Sequence, residues 1–144
     1  MKTAPDAEAT QRLKLDLLVD AHLQGLRDGD VEALMATTAH DVVYELVGRS
    51  PCSVRGQEAV RAHHIQELAN SMYERDVPLR RLYGDGFVVD EMVWEGRITG
   101  RIGSLVGHGR RVSHRLLRVF EVSDDRITRQ SIYLDFASLS EQLA

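Results

Sequence analysis

The stretch "RVFEVSDDRITRQSIYLDFASLSEQL", residues 118–143, decides the fold class of this chain. Two runs rich in β-branched and aromatic residues flank the tight turn "SDDR", a pattern that predicts an antiparallel strand pair. The second strand is predicted over 127–135, and "FASLSEQLA" is predicted as a short C-terminal turn. Asp135 closes the last strand, so it is either a catalytic acid or a structural residue. Alternation groups it with Ser131 and Tyr133, on the more polar face and away from the predicted pocket.

Upstream of this pair, the sequence predicts further strands of the same sheet. "PLRRLYGDG" from Pro78 is predicted as a strand that enters a glycine turn, and "FVVDEMVWEGRITGRIG" from Phe87 as a long strand. A loop over 104–111 leads into another long strand, 112–122. The second half of the chain is therefore predicted to be an antiparallel meander.

The first half has mainly helical periodicity. A helix is predicted from about Ala9 to Arg27 after a loose leader over 1–8, and Asp30 is predicted to cap a second, short helix. Residues 41–48 predict one strand, 49–56 a loop and 56–73 a third helix. Three helices, one early strand and then a meander indicate the α+β class: a single domain, 1–144, in which a curved antiparallel or mixed sheet wraps around three N-terminal helices as a cone-shaped α+β barrel. Such a cone tends to leave a ligand cavity.

Composition excludes several classes of function. The 144 residues carry a formal net charge of −4, which gives no electrostatic case for nucleic acid or for an anionic membrane. A single cysteine, Cys52, permits neither an internal disulfide nor a cysteine-based zinc site. The N-terminal residues lack the apolar core of a signal peptide, and no apolar run is long enough to cross a bilayer. We expect a cytoplasmic protein.

Strand alternation predicts which polar side chains point inward. In 112–122 the even positions are the more apolar, and they carry His114 and Arg118 with them. The same argument, less decisive for 87–95, gives the candidate inward set His22, Tyr44, Asp90, Trp94, His114 and Arg118. A buried charge must be paired, so we expect Asp90 to pair with Arg118 on a neighbouring strand and to fix the tautomer of His114. That arrangement would form a proton shuttle.

Structural roles explain the same residues without catalysis. His22 lies on an apolar helical stripe and fits a satisfied core histidine, and an Asp–Arg pair is more often structural than catalytic. Trp94 fits packing or a pocket wall, and Tyr44 fits a bond to a backbone carbonyl. His63 and His64 are adjacent on a helix and therefore point to different sides. A metal site at either histidine would need further ligands, and the sequence indicates none.

The chain resembles the nuclear transport factor 2-like superfamily, and most closely its SnoaL-like polyketide cyclase branch. The resemblance lies in "DGDVEALMATTAHDVVYELVG", "RGQEAVRAHH", "GFVVDEMVWEGRITGRIG" and the opening stretch, and it covers nearly the whole chain. It implies the cone fold, a small-molecule ligand and a homodimer through the outer sheet face at Arg115, Leu117, Val119 and Tyr133. It implies much less about activity, because this fold hosts many chemistries.

The catalytic residues of these relatives are mostly replaced. The cyclase branch implies an aspartate at position 132 and a histidine at 118, where this chain has Ile132 and Arg118. Limonene epoxide hydrolases imply a tyrosine that matches Tyr44, but the Asn, Arg and Asp positions fall at or near Leu46, Met92, Trp94 and Ile132. Ketosteroid isomerases imply a base near Glu45 or Leu46 and an oxyanion tyrosine near His22.

Three functions therefore remain open. The first is an enzyme that uses no cofactor and no metal, a cyclase, isomerase or hydrolase of a small hydrophobic molecule such as a polyketide or terpenoid. Asp90 would be the base, His114 and Arg118 the relay or oxyanion partners, and Tyr44 would orient the substrate. The predicted substrate-binding residues are His22, Leu46, Met92, Trp94, Leu116, Phe120 and Ile132. The second is a non-catalytic binding protein for an apolar ligand, favoured by Ile132, and the third is an assembly subunit.

Overall fold

The computed structural model describes residues 4–48 and 53–144. Its elements in chain order are α1 (Ala4–Asp28), α2 (Val31–Ala36), β1 (Thr38–Val47), β2 (Ser53–Arg55), α3 (Gln57–Ala69), β3 (Ser71–Gly84), β4 (Phe87–Ile98), β5 (Arg101–Ile102), β6 (Leu105–Val106), β7 (Arg110–Ser123), β8 (Arg126–Leu134) and α4 (Phe136–Gln142). The predicted α+β class is confirmed.

Six strands form one mixed sheet in the order β2-β1-β8-β7-β4-β3. The β1–β8 pair is parallel and the other neighbours are antiparallel. The sheet does not close into a barrel, because β2 and β3 stay at its edges. Register shifts in β3, in β7–β8 and at the start of β1 are bulges, which bend strands and allow the sheet to curve.

All four helices of the described ranges contribute buried side chains to one face of this sheet, here called the inner face. Leu15, Val19 and Leu23 of α1 pack with Phe120 and other inward residues of β4 and β7. Residues of α2 and α3 pack against β1 and Ile132, and residues of α4 pack against Val112 and Ile98. The core is thus the layer between the helices and the inner face, where apolar burial supplies most of the stabilisation.

Several predicted boundaries differ from the structure. Helix α1 begins at Ala4, so residues 4–8 of the predicted leader are helical. Helix α3 ends at Ala69 and β3 begins at Ser71, so residues 71–73 belong to a strand and not to the helix. Pro78 lies within β3 beside a register shift, which an edge strand tolerates although proline cannot donate a ladder hydrogen bond. Part of the predicted 49–56 loop, residues 49–52, lies outside the described residues.

Two further segments, the one after β4 and the one at the C-terminus, also differ from the sequence prediction. The predicted long strand from Phe87 stops at Ile98, and a short hairpin of β5 and β6 follows. Gly107 lets the backbone of this hairpin approach β4, since a Cβ there would lie 2.0 Å from the carbonyl oxygen of Ile98. The predicted C-terminal turn is the helix α4, and the Asp135 side chain caps it by accepting a hydrogen bond from the backbone N–H of Ser138 at 3.0 Å. Of the two roles considered for Asp135, the structural one is confirmed.

Candidate functional site

The inner face of the sheet brings most of the predicted site residues into rows across the strands. In the β4–β7 ladder Trp94 faces His114 and Asp90 faces Arg118. Ile132 of β8 lies on the other side of Arg118, and Leu46 of β1 follows Ile132 in the same row. The even positions of β7 from Val112 to Phe120 are all buried, which confirms the alternation predicted for this strand. Met92, Leu116, Phe120 and Ile132 are buried among them and belong to the hydrophobic core.

Asp90 does not pair with Arg118, contrary to the sequence prediction. Its Oδ1 accepts a hydrogen bond from Nε of Arg81 at 2.9 Å. Arg81 also donates to Asp16 and Asp20 of α1, each at 2.9 Å, and the hydroxyl of Tyr83 donates to Asp16. Because β3 supplies an arginine that the alternation argument did not place on this face, Asp90 is held in a structural network that ties α1 to the sheet.

Arg118 is buried with its residue surface 8% exposed. Its Nη1 donates to the sulfur of Met92 at 3.4 Å, and its Nε is a buried donor for which the described residues supply no acceptor. No described carboxylate lies within salt-bridge distance of it. Burial lowers the pKa of Arg118, while the nearby Tyr44 and Glu67 act in the opposite direction. A buried guanidinium with so little compensating charge is energetically unfavourable, so a group that binds beside it is favoured if it carries negative charge.

His22 is completely buried and its tautomer follows from its neighbour. Nδ1 lies 2.8 Å from the hydroxyl oxygen of Thr37. That hydroxyl donates its only proton to the carbonyl oxygen of Leu34 at 2.7 Å. His22 must therefore donate from Nδ1, which leaves Nε2 as an acceptor that receives no hydrogen bond from the described residues, although the side chain of Gln130 lies nearby. Burial, with the electrostatic effects of His64 and Arg118, lowers the pKa of His22 to about 3 against the opposite effect of Gln130, so the ring is neutral at pH 7.

Tyr44 binds a carboxylate rather than a backbone carbonyl. Its hydroxyl donates to Oε2 of Glu67 at 2.6 Å, and the ring packs against both His63 and His64. Burial and the Glu67 charge raise the pKa of Tyr44 well above its usual value, so it remains a donor. The Tyr44 ring is buried, whereas the Glu67 side chain is 35% exposed, so this hydrogen bond lies where the interior meets solvent.

Glu67 joins the two histidines of α3. Its Oε2 lies 3.4 Å from Nε2 of His63, and its Oε1 lies 3.9 Å from Nδ1 of His64. Burial acts to raise the pKa of Glu67, but hydrogen bonding and electrostatic interaction with His63 and His64 outweigh it and lower the pKa below its usual range. His64 is buried with both ring nitrogens unpartnered among the described residues, and its ring lies 6.0 Å from that of His22.

His114 and Trp94 form a second, separate pair. Their rings lie 5.6 Å apart, and Trp94 packs against the apolar residues of β4, β7 and α4. Burial lowers the pKa of His114 to about 4, with a further lowering by Arg118, so this histidine is also neutral at pH 7. No contact with Asp90 fixes its tautomer, because the Asp90 carboxylate is bound to Arg81.

Sequence reasoning missed Glu67, Gln130 and Thr37. Glu67 follows Val60 and His64 at i, i+4, i+7 spacing on α3. This helical spacing indicates that Glu67 lies on the same inward face as these two residues. Gln130 is an even residue of β8, is 2% exposed, and has an Nε2 with no acceptor in the described part of the chain. No sequence signal indicates that Thr37 would meet a histidine fifteen residues earlier. The residues His22, Tyr44, His64, Glu67, Arg118 and Gln130 are called the inner polar cluster below.

Within residues 4–48 and 53–144, no three His, Cys, Asp or Glu side chains are grouped closely enough to hold a metal ion. None of the helices described combines the length and apolar character of a membrane span.

Comparison with known proteins gives the same fold with several activities. An LEH-like epoxide hydrolase of M. tuberculosis is 25% identical, with a TM-score of 0.72 over 91% of this chain and 90% of its own. A candidate polyketide cyclase of Xanthomonas campestris pv. campestris is 24% identical, with a TM-score of 0.75 over 92% and 98% of the two chains. A protein of Catenulispora acidiphila with a ketosteroid isomerase-like fold is 17% identical, with a TM-score of 0.71 over 88% and 91%. The latter two likenesses show the fold alone.

No curated protein sequence is significantly similar to the chain. The family model of the SnoaL-like domain, however, matches residues 19–130. That range runs from the middle of α1 into β8, so it includes all six residues of the inner polar cluster. The chain belongs to the SnoaL-like domain family.

Proposed function

We propose that this protein is an enzyme that uses cofactor-free acid–base chemistry on a small hydrophobic molecule, of the size and character of a polyketide or terpenoid. The observation that carries the proposal is the Tyr44–Glu67–His64 arrangement at the edge of an apolar interior. A carboxylate beside a buried histidine whose outer nitrogen is unpartnered is the usual arrangement of a general base. The epoxide hydrolase likeness and the SnoaL-like domain support an enzyme of this kind.

Each member of the arrangement has a distinct role. His64 takes a proton from the substrate at Nε2, and Glu67 beside Nδ1 stabilises the imidazolium that forms. Tyr44 holds the carboxylate in place through its 2.6 Å hydrogen bond. Arg118 stabilises negative charge on the bound substrate. Apolar contacts come from Leu46, Met92, Trp94, Leu116, Phe120 and Ile132.

This assignment changes part of the predicted catalytic set. Tyr44 and Arg118 keep roles in the chemistry, and His22 keeps a role in substrate binding. Asp90 loses the role of base because Arg81 occupies its carboxylate, and His114 becomes a pocket residue beside Trp94.

The decisive experiment compares turnover in matched variants of α3. A panel of limonene oxide and enolisable polycyclic ketones is incubated in D2O, and NMR follows epoxide opening and exchange of the α-protons. His64→Gln and Glu67→Gln are expected to slow the active probe by roughly 10²–10⁴-fold, the usual contribution of a positioned acid or base. Glu58→Gln, exposed on the same helix, should leave the rate unchanged. Equal rates in all four proteins would exclude this mechanism.

A non-catalytic binding protein is the second candidate, because Ile132 stands where the SnoaL-like cyclases keep their acid. Ile132 is buried in an apolar cluster with Tyr44 and Val60. This function predicts that a bound probe is recovered unchanged after long incubation, with no deuterium incorporated.

We also propose that the protein is a cytoplasmic homodimer that associates through the outer sheet face. Tyr133 is 45% exposed there, beside a shallow groove of about 250 Å³ that Arg115 and Leu117 also line. Light scattering tests the dimer, and a monomer at all concentrations would refute it.

A further inference from the structure

Arg118 lacks a counter-ion because both of its neighbours across the strands fail to supply one. Asp90, opposite it on β4, is hydrogen-bonded to Arg81. Ile132, opposite it on β8, is apolar. The sulfur of Met92 is a weak acceptor and carries no charge. The guanidinium is therefore buried as a cation in a setting where a buried charge normally has a partner.

The groups around Arg118 favour one kind of anion. A planar carboxylate matches the fork of a guanidinium, and the side chains around Arg118 combine the apolar residues Met92, Leu116 and Phe120 with the polar cluster that contains Tyr44 and Glu67. Phosphate recognition usually recruits several cations or free backbone N–H groups, whereas Arg118 is the one described cation that is both buried and without a carboxylate within 4 Å. The bare Nε2 of His22 offers the complementary feature, an acceptor for a hydroxyl or N–H.

We propose that Arg118 is the binding site for the carboxylate of an organic acid whose apolar skeleton lies against the inner face and whose hydroxyl or N–H group donates to His22. This names the ligand class of the site and rests on the small-molecule function proposed above. The ligand supplies the negative charge that this sheet does not supply. A neutral molecule of equal size should then still bind, but more weakly than the acid.

The test measures affinity and not turnover. Calorimetric titration compares 2-naphthoate with its neutral counterpart 2-naphthamide. The unmodified protein should bind the acid at least about 10-fold more tightly than the amide, as expected for a desolvated charge-assisted pair. Arg118→Met should abolish this preference, and Arg126→Gln, at the exposed start of β8, should retain it.

A second pair of variants supplies the missing counter-ion from the protein. Ile132→Asp places a carboxylate beside Arg118 and should remove the preference for the acid, while Ile132→Asn, equally polar but neutral, should keep it. Both are compared only after circular dichroism shows a folded protein, and Arg118→Met serves alone if neither folds. Arg118→Met should fold, because it replaces a buried charge by an apolar chain of similar reach.

Three results would overturn the proposal. The first is equal binding of the acid and the amide, and the second is an undiminished preference for the acid in Arg118→Met. The third is that chloride competes with 2-naphthoate as effectively as an organic carboxylate does. Failure of the proposed catalytic mechanism would give a different pattern of results from failure of the carboxylate site. If His64→Gln leaves turnover unchanged but the acid preference persists, the mechanism fails and the carboxylate site stands. If turnover depends on His64 but no preference exists, only the carboxylate site fails.

Discussion

Arg81 donates from Nε to Oδ1 of Asp90 over 2.9 Å, and so binds the one acid that faces Arg118 across the β4–β7 ladder. The two arginines lie on either side of the same carboxylate position, and the one on the edge strand forms the bond. This single pairing gives Asp90 a structural role and leaves Arg118 without a partner. Four predictions follow from this pair and from three other contacts.

Asp90→Asn should destabilise the protein without affecting chemistry. It removes a charged hydrogen bond to Arg81, which costs about 1–3 kcal/mol of the free energy of unfolding. Arg81→Met should cost more, about 3–5 kcal/mol, because it leaves the buried Asp90 unpaired. Urea unfolding measures both, with Asp85→Asn in the neighbouring turn as the control. A large loss of turnover by folded Asp90→Asn, with normal stability, would return Asp90 to the role of base.

Stability should fall in mild acid because His22 is buried in its neutral form. Its pKa is about 3 in the folded protein against an ordinary value of 6.5, so the unfolded chain binds the additional proton between these limits. The stabilisation is complete above about pH 6.5 and is lost as the pH falls towards 3, at up to about 1.4 kcal/mol per pH unit. Between pH 6.5 and 4.5 this histidine alone should cost about 2 kcal/mol.

The matched variants for the pH effect are His22→Asn and His108→Asn. An asparagine at 22 keeps a donor for Thr37 but cannot titrate, so the free energy of unfolding should depend less steeply on pH. His108 is exposed and has a φ of 55°, which asparagine tolerates well, so its variant should keep the full slope. Parallel pH profiles of all three proteins would show that His22 is not the group concerned.

Tyr44 and Glu67 should be energetically coupled. Tyr44→Phe removes the 2.6 Å hydrogen bond and should cost about 1–2 kcal/mol, a moderate value since the Glu67 side chain is partly exposed. A double-mutant cycle with Glu67→Gln measures the coupling by urea unfolding, and Glu58→Gln, exposed on α3, is the neutral reference. Additive effects of the two substitutions would contradict a direct interaction.

Gln142 should hold α4 on the sheet. Its Nε2 donates to the carbonyl of Ser113 at 2.8 Å, and its Oε1 accepts from the N–H of Ser113 at 2.9 Å. The β7–β8 ladder ends at Leu116, so the side-chain amide replaces the strand that is missing beside Ser113. Gln142→Ala should cost about 1–2 kcal/mol and accelerate amide hydrogen exchange at Ser113. Glu141→Ala, exposed on the same helix, should do neither.

Local pattern was enough to predict the class of fold and the faces of the strands. Alternation in β7 placed His114, Arg118 and Phe120 inward because successive side chains of a strand point to opposite faces. The terminal helix was underestimated, since seven residues carry little periodicity and its capping by Asp135 is recognised mainly from the backbone. The strand at Ser71–Tyr73 was assigned to a helix because the boundary lacks a proline or glycine signal.

The sequence by itself determined that this is an α+β protein whose sheet carries Tyr44, Asp90 and Arg118 on its inner face, with His22 facing inward from the first helix, because burial and periodicity are properties of short segments. Only the tertiary structure decided which of these side chains meet. Arg81 reached Asp90 from an edge strand, Glu67 reached Tyr44 from a helix, and Thr37 fixed the proton of His22. Such pairings depend on distances between elements far apart in the chain, and no local periodicity encodes them.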